Sequence, residues 1–271
     1  MSFRRIPDRG HTGGMAGKWR VLPAAGLLAC ALTLAACAAP PGVSPGPSPR
    51  APRPGAQISA DDIPAAELAQ AGAAQWQLLA ARGAVGDGPE LRRVAAVLRR
   101  LLSVLPMIDP QLPPWPVQAM VLADPQVDAW CLPGGACAVT RGLLERVGSD
   151  DDRLAAALAH ELAHVLRGHP AERLALLRQT RAPSAPADWL ALPYTRVHET
   201  EADRLAVELQ VRAGFDPSAP LGFWTAIREA AWGAPTPAFS ARHPATPSQL
   251  RDLTVYADRL EPLKPIRPAN R

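Results

Sequence analysis

Beyond residue 37 the chain has no apolar run long enough to span a bilayer, and it contains no internal repeat. It also lacks a charge excess where a folded body must lie. The formal net charge of +4 comes from 29 Lys and Arg against 25 Asp and Glu. Five of those bases (Arg4, Arg5, Arg9, Lys18 and Arg20) and one acid, Asp8, fall in residues 1–36, which leaves 24 of each sign in the remainder. A neutral body without a basic stripe lacks the electrostatic attraction that drives nucleic-acid binding, so nucleic acid is set aside as a partner. Cysteine is scarce, with only Cys30, Cys37, Cys131 and Cys137. Nothing points to a sugar or nucleotide pocket.

What is present begins with an export pattern. Val21–Ala36 is apolar apart from Thr33 and follows Lys18 and Arg20, the basic and apolar regions of a secretory signal. Met15 is an alternative start. The apolar stretch ends in Leu34-Ala35-Ala36-Cys37, which resembles the lipobox of bacterial lipoproteins. That resemblance implies lipidation of Cys37, anchoring in the periplasm and, with Ala38 following, sorting to the outer membrane. The other reading is an ordinary signal peptide with a chance cysteine. After Cys37 the Pro, Ala, Gly and Ser of Ala38–Gly55 suit a disordered tether. The expected organisation is a signal over 1–36, a tether over 37–60, one domain over 61–262 and a tail over 263–271.

The body has the composition of a globular domain, with 48% hydrophobic residues, and 31 prolines point to several irregular stretches. Ile63–Leu105 reads as two helices broken at Gly83–Pro89; Leu91, Val94, Leu98, Leu101, Leu102 and Leu105 recur at three- and four-residue steps. Strands are predicted over Val117–Ala123, Val127–Leu132 and Ala136–Thr140, the last two joined by Pro133-Gly134-Gly135. A hairpin centred on Gly134 sets Cys131 opposite Cys137, close enough for a disulfide in an oxidising compartment. A C-x5-C pair could also be half a metal site, but no second Cys pair or nearby His completes one. Helices are then expected over Ser149–Arg167, Ala171–Arg181, Tyr194–Ala213, Pro217–Trp232 and Thr246–Leu260. The fold class is α+β, mainly helical with a small sheet.

The chemistry concentrates in the first of those helices. Ser149 is the expected N-cap, acids crowd the first turn, and Gly168 stops the helix. His160 and His164, four apart on one face, can both reach a single Zn2+. Glu161 then stands beside the remaining coordination position, where a carboxylate can take a proton from a metal-polarised water and later pass it to a leaving amine. His-Glu-x-x-His alone can also occur by chance on a surface helix. A third ligand is sought 35 residues beyond His164, in Tyr194–Asp203. Glu199 and Asp203 share a face, Glu199 as a ligand and Asp203 holding a histidine ring by its other nitrogen. Without the first motif they would be an ordinary charged helical face.

These two segments together resemble the gluzincin peptidases that include HtpX, BepA and the integral CAAX prenyl protease. Asp128–Gly135, Val139–Leu144, Gly214–Pro217 and Arg242-His243-Pro244 match the same pattern, so the resemblance runs from about Val117 to Leu253. It implies a zincin-type metallopeptidase domain holding one Zn2+ per chain, with Glu199 as the zinc carboxylate and Asp203 as its partner. Asp128 stands where Asn is common in the family, and Thr195 where Ser is. The HtpX-type membrane spans and the BepA repeat domain are missing, so the expectation is a minimal periplasmic lipoprotein member.

His243 has two readings. In some relatives a histidine in the corresponding His-Pro segment reaches the zinc and closes the site; otherwise it is a packed or solvated loop residue. His169, past the glycine stop, reads as structural, and His198 receives no role. Glu201, about 200° round the helix from Glu199, reads as exposed or salt-bridged. An edge strand of the hairpin could receive an extended peptide, which suggests unfolded or misassembled envelope proteins as substrates. The competing expectation is a largely latent, chaperone- or adaptor-like lipoprotein working with the outer-membrane assembly machinery.

Overall fold

The structure, a computed structural model, describes residues 60–180, 189–190, 192–230, 238–243 and 246–263. The expected signal, Cys37, the tether up to residue 59 and the tail beyond residue 263 lie outside the described residues.

Helices dominate, as the sequence predicts. Helix α1 (Ala65–Ala81) and helix α2 (Pro89–Leu102) flank the predicted break, and Pro89 sits in the first turn, where its missing N–H costs nothing. Helix α2 buries Val94, Leu98, Leu101 and Leu102 of the stripe read from spacing, with Val97 beside them, while Leu91 is only partly buried. A four-residue helix, α3 (Leu105–Ile108), follows it.

Three strands come next: β1 (Ala119–Leu122), β2 (Ala129–Cys131) and β3 (Cys137–Thr140). The sheet order is β1-β3-β2, with β1 parallel and β2 antiparallel to β3, so β2 is an edge. Cys131 pairs with Cys137 in the register, and a disulfide joins them. Strand residues alternate between two apolar clusters, as a period of two requires. Val121, Ala129, Cys131, Cys137 and Val139 join the main core, while Met120, Leu122, Trp130 and Ala138 join a smaller cluster with Leu79, Trp189 and Leu190. Both faces are covered, which is why β2 and β3 are buried throughout.

The remaining helices are α4 (Arg141–Val147), α5 (Asp151–Leu166), α6 (His169–Thr180), α7 (Arg196–Arg212), α8 (Ala219–Ala230), α9 (Ala238–Arg242) and α10 (Pro247–Leu260). Helix α5 is central. Every residue from Leu154 to His164 is buried, with alanines that let neighbouring elements approach closely. Helices α2, α4, α6, α7 and α8 and strand β2 all pack on it. A helix surrounded on all sides must be apolar nearly everywhere. The polar residues within that buried stretch, His160, Glu161 and His164, therefore stand out.

Two short helices near the site, α4 and α9, have no counterpart in the sequence reading. Helix α4 begins where Thr140 ends β3 and caps it, its side chain accepting from the Leu143 amide. Gly142 lies so near the preceding loop that its amide donates to the Asp124 carbonyl at 3.0 Å. A Cβ at this position would press into the carbonyl oxygens of Pro125 and Gln126. Gly142→Ala is therefore expected to destabilise the fold by about 1–3 kcal/mol, read as a lower denaturant midpoint. An unchanged midpoint would mean that the 124–126 loop yields without cost.

Candidate metal centre

Helix α5 starts one residue later than its sequence suggests. Asp150, not Ser149, is the N-cap, accepting from the Arg153 amide at 3.0 Å, and Asp151 and Asp152 fill the first turn. The shift is small because Ser and Asp cap by the same bond. At the other end Gly168, at φ 76°, turns the chain back so that α6 starts at once with His169. Helix α7 is capped by Thr195, which accepts from the His198 amide at 3.2 Å.

These two helices and the residue after α9 converge. His160 and His164 from α5, Glu199 from α7 and His243 each offer one ligand atom, and all four atoms lie within 4.8 Å of one another. His160 Nε2 is 3.0 Å from His164 Nε2 and 3.1 Å from His243 Nδ1. Glu199 places Oε1 3.1 Å from His243 Nδ1 and 3.5 Å from His164 Nε2, and Oε2 3.5 Å from His160 Nε2. Donors tetrahedrally arranged at 2.0–2.1 Å around an ion are separated by roughly 3.3 Å. The cluster thus has the edge lengths of such a shell, and three imidazoles with one carboxylate are a donor set suited to Zn2+. All four residues are buried.

The electrostatics fit a cation. Burial opposes charge on His160, but the Asp203 and Glu199 carboxylates outweigh it and raise its pKa to about 10. Burial alone would raise Glu199; the His243 and His160 imidazoles instead hold it below the usual carboxylate value. Burial lowers His164 well below 6.5 and His243 to about 3. An anionic carboxylate beside one imidazole that favours its proton and two that do not is an arrangement in which a metal ion can take that proton's place.

Around the cluster, Asp203 Oδ1 lies 3.0 Å from His160 Nδ1, the outward nitrogen of that ring. Tyr194 stacks on His164 with ring centroids 3.6 Å apart, and the Arg173 guanidinium lies 3.5 Å over Tyr194. Glu161 is buried beside the cluster, and burial raises its pKa despite Arg242 and His160 nearby. Its Oε1 is 3.0 Å from His243 Nε2, so that ring lies between the donor cluster and Glu161. The helix before His243 is fastened to the edge strand. Arg242 pairs with Asp128 and donates to the Ala129 carbonyl at 2.9 Å, and the Phe239 amide donates to the Val127 carbonyl at 3.2 Å. Burial raises the Asp128 carboxyl to about 6, against the pull of Arg242.

Sequence reasoning missed Tyr194, Arg173, the Arg242–Asp128 pair and the place of His169, whose Nδ1 is 2.8 Å from His164 Nδ1. No spacing rule connects residues 114 apart, as Arg242 and Asp128 are. Glu201 is half exposed and pairs with His169, and His198 stacks on His169 and meets Glu172.

The profile of Peptidase family M48 matches residues 90–185 and 180–257. Mitochondrial metalloendopeptidase OMA1 of Schizosaccharomyces pombe is 33% identical over 186 residues, covering 62% of this chain and 53% of that protein. Metalloendopeptidase OMA1, mitochondrial, of Bos taurus is 31% identical over 171 residues, 52% of this chain and 32% of the relative. The Beta-barrel assembly-enhancing protease of Escherichia coli K12 is 24% identical over 179 residues, 55% and 36% of the two chains. The match thus spans about half of the first relative and a third of the others.

A metal bound only by the folded chain must stabilise it, by about 4 kcal/mol at a thousand times its Kd. Chelator treatment is expected to lower the melting temperature and Zn2+ to restore it, with the difference abolished in Glu199→Ala. A melting temperature indifferent to chelator and Zn2+ in the wild-type chain would argue against a metal centre here.

Proposed function

The chain belongs to peptidase family M48, and on that premise we propose that it is a zinc-dependent endopeptidase with Glu161 as its general base. The observation carrying this reading is the buried tetrad of His160, His164, Glu199 and His243 with Glu161 alongside it. Zn2+, when bound, supplies Lewis acidity, polarising a peptide carbonyl and acidifying a water. His160, His164 and Glu199 would hold it, with Asp203 orienting His160. Glu161 takes the water's proton at its carboxylate and returns it to the leaving amine. Its burial-raised pKa suits a group that must both accept and donate.

His243 is the fourth ligand of a resting state in this proposal. Its Nδ1 completes the tetrad while its Nε2 faces Glu161, so one ring occupies the place a water needs and engages the base. The same segment covers the edge of β2, because Arg242 holds the Ala129 carbonyl that an added strand would use. An extended substrate pairing with β2 must displace α9, and His243 leaves with it. The working cycle is therefore latent until a chain long enough to compete for that edge arrives. This favours unfolded or misassembled proteins as substrates.

The proposed setting is the periplasm, with the folded part tethered through a lipid on Cys37 to the outer membrane. The Leu34–Cys37 pattern supports it, and among the described residues no helix is long and apolar enough to cross a membrane. The name of one relative, a Beta-barrel assembly-enhancing protease, supports clients in β-barrel assembly. A largely latent, adaptor-like role is the second reading, and the closed position of His243 favours it.

Zinc-loaded chain lacking residues 1–36 is expected to cleave unfolded casein slowly, and His243→Ala faster. Glu161→Gln should lower the rate by about 10²–10⁴-fold. Equal cleavage by Glu161→Gln would sink the catalytic assignment. Silence from both the wild-type chain and His243→Ala would favour the adaptor role.

A further inference from the structure

The two α5 imidazoles are held from behind by different partners. Behind His160 stands a carboxylate, Asp203. Behind His164 stands another imidazole: His169 Nδ1 lies 2.8 Å from His164 Nδ1, and His169 Nε2 lies 3.3 Å from Glu201 Oε2. We propose that His169 is a positioning residue of the metal centre, its Nδ1 accepting a hydrogen bond from His164 Nδ1–H and so leaving His164 Nε2 free to bind the ion. This rests on the reading of His164 as a metal ligand.

Proton placement follows from the geometry. If His164 Nε2 faces the ion, its other nitrogen carries the ring proton. The His169 nitrogen facing it must then be bare, so the His169 proton is on Nε2. That proton points at the Glu201 carboxylate, an acceptor only. Each step admits one tautomer, and the chain runs from the buried cluster to a half-exposed carboxylate. The His169 ring is itself fixed: it is 1% exposed and stacks on His198 at 4.3 Å, and His198 Nε2 meets Glu172 Oε2 at 2.8 Å. The Gly168 turn sets His169 under His164, five residues back along the chain.

A neutral acceptor is chemically apt. Glu161, Glu199 and Asp203 are all buried here, and a fourth carboxylate would add like-charge repulsion in a dry site. A neutral imidazole accepts the hydrogen bond without bringing charge, and Glu201 supplies the negative end of the hydrogen-bonded chain from the surface.

The test is competition for Zn2+ between the full chain and a chromophoric chelator. His169→Phe keeps the stacking ring and removes the acceptor, so affinity should fall about 10–100-fold. His169→Asn, whose Oδ1 can occupy the Nδ1 position, should recover most of that loss. Wild-type affinity in His169→Phe, or no recovery in His169→Asn, would overturn the proposal and leave His169 a packing residue. His164→Ala is the control: wild-type affinity there would indict the metal centre itself, not His169. Should the variants not fold, long-range 1H–15N spectra of the zinc-loaded wild-type chain decide. His164 protonated on Nδ1 and His169 on Nε2 is the expected pattern, and a proton on His169 Nδ1 would refute it.

Discussion

Burial of three imidazoles and a carboxylate against one another is the constraint around which this structure is organised. His160, His164, Glu199 and His243 lose their water when α5 is enclosed on all sides. Polar groups in a dry interior are costly unless their lone pairs are satisfied, and donor atoms 3.0–3.5 Å apart on four rigid residues cannot all satisfy each other. A bound cation would resolve this, because it would accept every inward lone pair at once. The outward nitrogens then need partners of their own, and Asp203 and His169 stand there. Tyr194 and Arg173 stack over the His164 face and close that side from water.

The same constraint couples the site to the sheet edge. His243 comes from the short segment whose Arg242 and Phe239 bond to β2 and the loop before it. The Cys131–Cys137 disulfide ties that edge strand to β3. The Cys131 amide in turn hydrogen-bonds to the Glu161 carboxylate. One small region thus holds the proposed base, the covering segment and the proposed place of peptide docking. In the proposed reading, opening one opens all three.

Much of this was legible because helical periodicity is strict. Residues four apart share a face, so His160 with His164 and Glu199 with Asp203 could be paired before any fold was known. Centring the hairpin on Gly134 likewise predicted the register that puts Cys131 opposite Cys137. The illegible parts have short or absent patterns. Helices α4 and α9 span seven and five residues, too few for a periodic signal. His169 was hidden because Gly168 breaks the helical phase that would have related it to His164. The Arg242–Asp128 pair joins distant segments by tertiary packing alone, and Asp150 displaced Ser149 as the cap because either residue type serves.

The central claim is that these four side chains form one metal shell. Zinc K-edge X-ray absorption on the loaded, substrate-free chain tests it most directly, since imidazole scattering can be counted. The account predicts three imidazoles and one carboxylate oxygen at about 2.0–2.2 Å. A shell with two imidazoles would remove His243 from the resting site, and a sulfur ligand would place the metal elsewhere altogether.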